Sequence, residues 1–178
     1  MISGIYHRLV VILLVLLQVS CSHKPSRERS PVISEKEKDE MLLRVNKYLV
    51  QKDIELIEAY AARRGWDMKV TETGLYYDIF ETTDGKKAEY GQEVKIFYEI
   101  SLLDGSVCYS SDEDGPKEFR IGRSQEISGL EQGISLMREG EKARFIIPPH
   151  LAYGLLGDEL KIPARSILVC LVELEEIK

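Results

Sequence analysis

Residues 117–147, KEFRIGRSQEISGLEQGISLMREGEKARFII, follow a strand, helix, strand pattern that decides the fold class. Lys117–Ile121 and Glu141–Ile147 have the short, partly apolar composition of strands, and the second run stops at Pro148-Pro149. Between them, Gly129–Met137 carries apolar residues three and four positions apart, which is helical spacing. The stretch therefore predicts one short helix with a buried face, flanked by two strands.

The residues on both sides of this stretch add further strands. Leu75–Phe80 has the side-chain alternation of a strand, and the turn residues Thr83–Gly85 follow it. Glu93–Leu102 has the pattern of a longer strand, which Asp104-Gly105 closes. Ser166–Glu175 is almost continuously apolar, as is typical of a central strand covered on both faces. The C-terminal half is thus predicted to be an α+β domain with a single short helix.

Helical signals occupy residues 34–64. Ser34, followed three residues later by Glu37, is a capping-box signature, and apolar residues recur at helical spacing after it. Asp53 has the character of a second N-cap, so the sequence allows either two short helices or one bent helix. Gly65, directly after two arginines, is a typical stop.

The first residues resemble an export signal. A basic start is followed by the apolar run Leu9–Leu17, which is short for a bilayer-spanning helix, so a transmembrane helix is the less favoured alternative. Cys21 ends this segment as the cysteine of a lipobox does, although Gln18 stands where that motif usually has Leu. We therefore predict lipidation of Cys21, with simple secretion as the alternative. Residues 22–33 are polar with two prolines, which indicates a tether.

Composition excludes several classes of function. The chain of 178 residues has 24 lysines and arginines against 30 aspartates and glutamates, a net charge of −6, which argues against a nucleic-acid partner. Its three cysteines form no CxxC pair, and the chain contains no phosphate-binding glycine loop or GxSxG motif. We therefore expect no metal and no cofactor.

From Gly91 onward the sequence resembles an FKBP-type peptidyl-prolyl isomerase over 88 residues. The matching strings, in order, are Gly91–Val94, Leu103–Gly105, Ser110-Ser111, Phe119–Gly122, Glu126–Gly133, Met137–Ala143, Ile147–Gly154, Ile162–Ala164 and Leu168–Leu174. A closer resemblance, to the gliding-motility-associated lipoproteins of this family, depends on Gly74–Tyr77, Phe97–Ile100 and Cys108–Ser110.

The resemblance implies a curved antiparallel sheet wrapped around one short helix, preceded here by a short helical segment. It implies the catalytic residues Tyr98, Ile127, through its backbone N–H, and Tyr153, through its hydroxyl. The other residues implied in substrate binding are Cys108, Tyr109, Phe119, Leu130, Ile162 and Cys170. The predicted organisation is a signal peptide at 1–20, a tether at 21–33, a helical segment at 34–65, a linker with the first strand at 66–88 and the isomerase domain at 89–178.

Several positions depart from the family pattern. Cys108-Tyr109 replaces a common Phe-Asp, Leu130 a common Trp, and Cys170 a common Phe, so the pocket loses aromatic area and a carboxylate. Lys117 and Glu126 stand where an aromatic and an aliphatic residue are common. We also consider a disulfide between Cys108 and Cys170, since export permits one; two buried thiols are the alternative.

Two functions remain open. The favoured one is a lipid-anchored isomerase that faces the periplasm and acts on X–Pro bonds of proline-containing peptides or unfolded exported proteins. The alternative is a weakly catalytic chaperone or scaffold in an envelope assembly. A homodimer through the helical segment is considered but not favoured.

Overall fold

The computed structural model describes residues 34–178. The predicted signal peptide, the tether and the lipidation site Cys21 lie outside the described residues. The chain divides into two compact units, Met1–Leu43 and Arg44–Lys178. Of the first unit, the structure describes the beginning of a helix. The second unit contains the sheet and every predicted site residue apart from the lipidation site.

Helix α1, Glu35–Arg64, begins with the predicted capping box. The Ser34 amide donates to the Glu37 carboxylate at 2.9 Å, and the Glu37 amide donates to the Ser34 hydroxyl oxygen at 3.3 Å. Gly65 ends the helix with a φ of +65°, and its amide donates to the Ala62 carbonyl. The predicted helix start and stop are both confirmed.

Of the two alternatives left open for this segment, two short helices is wrong, because Asp53 does not act as a cap. Its carboxylate pairs with the Arg165 guanidinium at 2.9 Å, so it ties the middle of helix α1 to a distant loop. Because this carboxylate bonds to a partner outside the helix, it does not compete for the backbone amides of the helix. Residues 35–64 are therefore one continuous helix.

Seven strands form one sheet in which every pairing is antiparallel. The strands are β1 (Lys69–Val70), β2 (Tyr76–Glu81), β3 (Glu93–Leu102), β4 (Val107–Ser110), β5 (Lys117–Arg120), β6 (Lys142–Ile147) and β7 (Leu168–Ile177). Their order is β1-β2-β6-β7-β3-β4, with β5 also paired to β3. Strand β7 lies between β6 and β3, so the predicted central position is confirmed, as are the bounds of β3.

Two short α-helices complete the domain: α2 (Ser111–Asp114) and α3 (Ser128–Ile134). Leu130 and Ile134 of α3 are fully buried against the sheet in the main core. A Cβ at Gly133 would lie 2.7 Å from the Phe145 ring, so glycine is what lets the helix approach the sheet this closely. The predicted fold, an antiparallel sheet packed on one short helix, is confirmed.

The opposite face of the sheet is covered by the end of helix α1. Ile57, Tyr60 and Ala61 are buried there, in a second cluster that includes Ile146 of β6 and Val169 of β7. Strand neighbours such as Phe145 and Cys170 face the main core instead, because successive side chains of a strand alternate between faces. The end of helix α1 therefore folds back onto the domain.

The stretch 66–88, treated as a linker with one strand in the sequence analysis, contributes two strands to this same sheet. Leu75 and Ala88 from this stretch are buried in the main core. Strand β4, helix α2 and a 3-10 turn at Pro149–Leu151 are elements that the sequence analysis did not predict. Among residues 34–178, no helix has the length and apolar character needed to span a bilayer.

Candidate active site

The predicted site residues lie together. All nine contribute to the main apolar cluster between the sheet and helix α3. Six are buried and three are partly exposed. The buried ones are Tyr98, Cys108, Phe119, Leu130, Ile162 and Cys170, and the partly exposed ones are Tyr109, Ile127 and Tyr153. They come from four strands, one helix and two loops, so the tertiary fold brings them together.

The inner wall of this site is apolar and buried. Leu130, on helix α3, is fully buried, and so is Cys170, on the central strand β7. Phe119 of β5 and Tyr98 of β3 are 8% and 7% exposed. A leucine and a cysteine thus stand where the family commonly has large aromatic rings, while two aromatic residues remain.

Ile127 supplies a backbone donor at the beginning of helix α3. It is the N-cap residue, with φ −62° and ψ 140°, and its own carbonyl accepts from the amides of Leu130 and Glu131. Within the described chain, the Ile127 N–H has no acceptor. A donor of this kind at a helix N-terminus is available to a bound carbonyl group.

Tyr153 is half-buried in the loop after β6, and its hydroxyl has no hydrogen-bond partner among residues 34–178. Burial raises the pKa of this hydroxyl, and the nearby negative charges of Glu126 and Asp158 raise it further. The pKa of Tyr98 is also raised, chiefly by burial and then by Asp114 and Glu126. Both tyrosines therefore stay protonated at neutral pH, and the Tyr153 hydroxyl can donate.

Asp158, which the sequence did not single out, places a carboxylate in the site. The Tyr109 hydroxyl donates to Asp158, and this hydrogen bond, together with burial, raises the pKa of Tyr109 to about 12. The other Asp158 oxygen accepts from the amides of Leu160 at 2.9 Å and Ile162 at 2.7 Å. Asp158 therefore fixes the Ile162 wall and restores a carboxylate that the substitution at 109 had appeared to remove. The only sequence signal was the turn pair Gly157-Asp158.

An ion pair occupies one side of the site. The Lys117 ammonium lies 2.7 Å and 2.9 Å from the two Glu126 oxygens, and both side chains are less than one-third exposed. The same ammonium lies 5.2 Å from the centre of the Tyr98 ring. The charges of Lys117 and Glu126, the two residues that depart from the family pattern, thus neutralise each other next to the Tyr98 ring.

Cys108 and Cys170 are both buried free thiols, so the disulfide hypothesis is wrong for this structure. The Cys108 sulfur lies 3.7 Å from the Lys161 carbonyl oxygen and 3.8 Å from that of Ser106. Burial raises the pKa of Cys170 to about 12, which keeps its thiol neutral. Both cysteines act as small apolar wall residues.

A separate cavity of about 340 Å³ lies between helix α1 and strands β1 and β2, and none of the nine site residues lines it. Two of the polar side chains that line it already have partners within the fold. His150 bonds the Thr73 carbonyl at 2.9 Å, and Asp53 pairs with Arg165. Residues 34–178 contain no group of three histidines, cysteines or carboxylates that could hold a metal ion.

Sequence comparison connects this site to known proteins. The family model for FKBP-type peptidyl-prolyl cis-trans isomerases matches residues 84–175. The chain is 46% identical over 104 residues to FK506-binding protein 2 of Dictyostelium discoideum, covering 58% of this chain and 77% of that protein. It is 36% identical over 115 residues, 64% of this chain, to a probable FKBP-type isomerase of Haemophilus influenzae, and spans 47% of that protein.

Comparison with solved structures gives the same fold. FkpA from Escherichia coli aligns with a TM-score of 0.63 and 27% identity, covering 83% of this chain and 74% of that one. AtFKBP13 aligns with a TM-score of 0.59 and 33% identity, covering 63% of this chain and 99% of that one. The first of these alignments extends well beyond the residues that the family model covers.

Proposed function

The chain belongs to the FKBP-type peptidyl-prolyl cis-trans isomerase family, and from this premise we propose that it catalyses the rotation of X–Pro bonds in polypeptides. The observation that carries the proposal is the arrangement of the site. Two unused donors, the Tyr153 hydroxyl and the Ile127 amide, lie in the same cluster as the buried apolar walls. The curated relatives include several named as isomerases of this type.

The chemistry follows from the nature of the barrier. Amide resonance opposes rotation by about 18–20 kcal/mol, so an unassisted X–Pro bond takes tens of seconds or longer to isomerise. Resonance is lost in the twisted transition state, which is therefore less polar than the planar amide. An apolar wall such as Leu130, Cys170 and Phe119 favours the twisted state over the planar one relative to water.

The two donors orient the substrate. The Ile127 amide and the Tyr153 hydroxyl would each donate to a peptide carbonyl, which holds the chain while the bond rotates. Because the pKa of Tyr153 is raised, the hydroxyl remains a donor over the neutral range. No proton or electron is transferred in this reaction, so neutral side chains are sufficient.

A coupled-protease assay tests the proposal. The peptide Ala-Leu-Pro-Phe, joined to a chromogenic amide, is cleaved by chymotrypsin when its Leu-Pro bond is trans, so the slow phase reports isomerisation. We expect the full-length protein to accelerate this phase in proportion to its concentration. A slow phase that stays at the uncatalysed rate would contradict the proposal.

One observation favours a second candidate, a chaperone or scaffold with little turnover. Lys117 and Leu130 stand where the family commonly has aromatic residues, and Lys117 is held in an ion pair with Glu126, which would weaken the contact of the site with a proline ring. Under this alternative, the protein would suppress aggregation of a denatured protein at concentrations where it does not accelerate the peptide assay. Suppression together with acceleration supports the isomerase.

We further propose that the protein works at the bacterial cell envelope, attached by lipid at Cys21, and acts on exported proteins. The export-like residues 1–21 support this proposal, as do bacterial relatives from Haemophilus, Neisseria and Aeromonas. The gliding-motility branch is part of the same proposal and depends on the strings at 74–77, 97–100 and 108–110. One chain supplies all nine site residues, so catalysis needs no dimer.

A further inference from the structure

The turn between strands β1 and β2 is closed by its own hydrogen bonds. The Thr71 amide donates to the Leu75 carbonyl at 2.9 Å, and the Leu75 amide donates to the Thr71 hydroxyl oxygen at 3.1 Å. The Gly74 amide donates to the Thr71 carbonyl at 3.0 Å, and the φ of +91° at Gly74 is one that glycine adopts without strain. We call residues 71–75 the threonine turn.

The threonine turn precedes residues 84–175, which the family model matches, and yet it bonds to helix α3 within them. The Thr73 hydroxyl donates to the Gln132 side-chain oxygen at 2.6 Å. The Thr71 hydroxyl lies 2.8 Å from that of Thr73 and 3.3 Å from the same Gln132 oxygen. Helix α3 has Ile127 as its N-cap, so the turn is bonded to the helix that carries the backbone donor of the candidate site.

Directional contacts are needed to fix the orientation of helix α3, which has seven residues. Leu130 and Ile134 hold its buried face in the main core, but apolar packing has no preferred direction. Polar side chains of the helix bond to three neighbouring segments: Ser128 to the Leu151 carbonyl at 3.3 Å, Glu131 to the Ser124 hydroxyl at 2.6 Å and Gln132 to the Thr73 hydroxyl at 2.6 Å. Without the Gln132 contact, the helix would stay in the core and would be freer to turn about its buried face.

The threonine turn also contacts the segment that leads to Tyr153. The Thr73 carbonyl oxygen lies 2.9 Å from Nε2 of His150, and a Cβ at Gly74 would lie 3.6 Å from the His150 ring. His150 belongs to the 3-10 turn that precedes Tyr153. Thr73 therefore bonds through its side chain to the helix behind the Ile127 amide and through its carbonyl to the segment before the Tyr153 hydroxyl. These are the two donors of the candidate site.

We propose that Thr73 is a positioning residue of the candidate active site, which acts through Gln132 on helix α3 and so orients the Ile127 amide. The inference rests on the proposed isomerase function and adds a residue outside the site cluster to it. A donor holds a substrate carbonyl through the twisted transition state only from the correct direction, and a small displacement of a positioned group lowers the rate. The apolar walls, which bind the proline ring before it twists, do not depend on Thr73.

Thr73→Val in the full-length protein tests this inference, because valine keeps the shape of threonine and removes its hydroxyl. The coupled-protease assay, with Ala-Leu-Pro-Phe peptide enriched in its cis isomer, gives kcat and KM separately. We expect kcat to fall about threefold, as for the loss of one weak hydrogen bond, and KM to stay unchanged. Since Thr73 is exposed, the urea midpoint should stay at the wild-type value. A rise in KM without a change in kcat would overturn the inference in favour of direct contact between the turn and the substrate.

Three further variants identify the contact that is responsible. Thr73→Ser keeps the hydroxyl and should keep the wild-type kcat, whereas Gln132→Leu removes the acceptor and should lower kcat as Thr73→Val does. The double variant Thr73→Val/Gln132→Leu should be no slower than Gln132→Leu alone, because both substitutions remove the same bond. The matched control is Thr82→Val, at an exposed threonine whose hydroxyl has no partner among residues 34–178, and it should leave kcat unchanged. Additive losses in the double variant, or an equal fall in the control, would overturn the inference.

Amide NMR separates this inference from the proposed function. The resonance of the Ile127 amide reports on the start of helix α3 whether or not turnover occurs. We expect it to shift in Thr73→Val and Gln132→Leu and to keep its wild-type position in Thr73→Ser and Thr82→Val. If the wild-type protein leaves the peptide unaccelerated, the isomerase proposal fails, and this resonance still decides whether Thr73 positions the donor. An unmoved Ile127 resonance in Thr73→Val would overturn the inference.

Discussion

Tyr153 is the side chain whose removal should isolate one interaction with substrate. Its hydroxyl has no partner among residues 34–178, so Tyr153→Phe removes no hydrogen bond of the described fold. We expect kcat/KM in the coupled-protease assay to fall about tenfold, which corresponds to one hydrogen bond of about 1–1.5 kcal/mol. The free energy of unfolding should stay within about 0.5 kcal/mol of the wild-type value.

The matched control for this substitution is Tyr90→Phe. Tyr90 is 72% exposed and lies outside the site cluster, so the loss of its hydroxyl should leave both activity and stability unchanged. Equal activity of Tyr153→Phe and the wild type would show that the hydroxyl does not hold the substrate in the transition state.

Asp158 should make stability depend on acid pH. Burial alone would raise the pKa of Asp158, but hydrogen bonds from Tyr109, Ile162 and Leu160 outweigh it and lower the pKa. A carboxylate with a lowered folded-state pKa stabilises the protein fully above its unfolded pKa of about 3.9. This contribution is lost as pH falls through the lower folded-state value.

We therefore expect Asp158→Asn to flatten the pH dependence of stability below about pH 5. Asparagine keeps an oxygen that accepts from the amides of Leu160 and Ile162, so the loop should stay folded. Urea midpoints between about pH 5 and pH 2 measure the effect. The control Glu159→Gln, at an exposed position of the same loop, should keep the wild-type profile. Parallel profiles for Asp158→Asn and the wild type would contradict the assignment.

At this scale, the sequence predicted that the candidate site residues lie together better than it predicted their hydrogen-bond partners. The motifs placed Tyr98, Ile127 and Tyr153 in one cluster, where the structure has them. The bond between Tyr109 and Asp158 joins residues 49 positions apart, and sequence spacing carries no information about such a contact. The sequence marked Lys117 and Glu126 as unusual but could not show that they form a pair.

Among the elements, helix α1 makes the clearest prediction about stability. Ile57 is 1% exposed and packs on the sheet with Tyr60 and Ala61, whereas its neighbour Leu56 is 53% exposed. Ile57→Ala should therefore lower the free energy of unfolding by about 2–4 kcal/mol, because it leaves a cavity under the helix. Leu56→Ala should change it by less than about 0.5 kcal/mol.

Urea denaturation followed by circular dichroism measures both variants. The peptide assay serves as a second readout, because Ile57 packs in the second cluster, whereas the site lies in the main core. Activity of Ile57→Ala at low temperature should match the wild type. Equal stability losses in the two variants would mean that helix α1 is not anchored through this residue.

The elements show where sequence patterns are informative. Strand β3 was predicted with its observed bounds, because its apolar alternation and its closing turn are local signals. Strand β4, Val107–Ser110, has only four residues and pairs with β3 across a bulge. Its formation therefore depends on this tertiary pairing, which local sequence does not show. The choice between two short helices and one bent helix stayed open for residues 34–64, because Asp53 has a capping residue's chemistry and its partner Arg165 lies 112 positions away.

At the scale of the molecule, one sheet serves two purposes. One face carries helix α3 and the candidate active site, and the other face receives the end of helix α1. Asp53 of helix α1 pairs with Arg165, whose amide donates to the Gly154 carbonyl in the loop after Tyr153. One ion pair and one backbone hydrogen bond therefore connect helix α1, on the opposite face of the sheet, to the loop that borders the site.

The lipid attachment proposed for Cys21 concerns the whole molecule, and Cys21→Ala tests it. An acylated cysteine carries enough hydrocarbon for stable membrane attachment, whereas an unmodified chain has none at this position. In cells that express the full-length protein, we expect the wild type in the membrane fraction after carbonate washing and Cys21→Ala in the soluble fraction. Metabolic labelling with a palmitate analogue should mark the wild type and leave Cys21→Ala unmarked.

The two other cysteines of the chain make this experiment specific. Cys108 and Cys170 are buried free thiols inside the apolar core, where an acyl-transfer enzyme has no access, and both remain in Cys21→Ala. Label on Cys21→Ala would therefore exclude Cys21 as the sole acylation site. Membrane retention without label would instead attribute attachment to the run Leu9–Leu17. The candidate site lies wholly within residues 98–170, so Cys21→Ala should keep full activity on the Ala-Leu-Pro-Phe peptide, and release would change where the protein works without changing its proposed turnover.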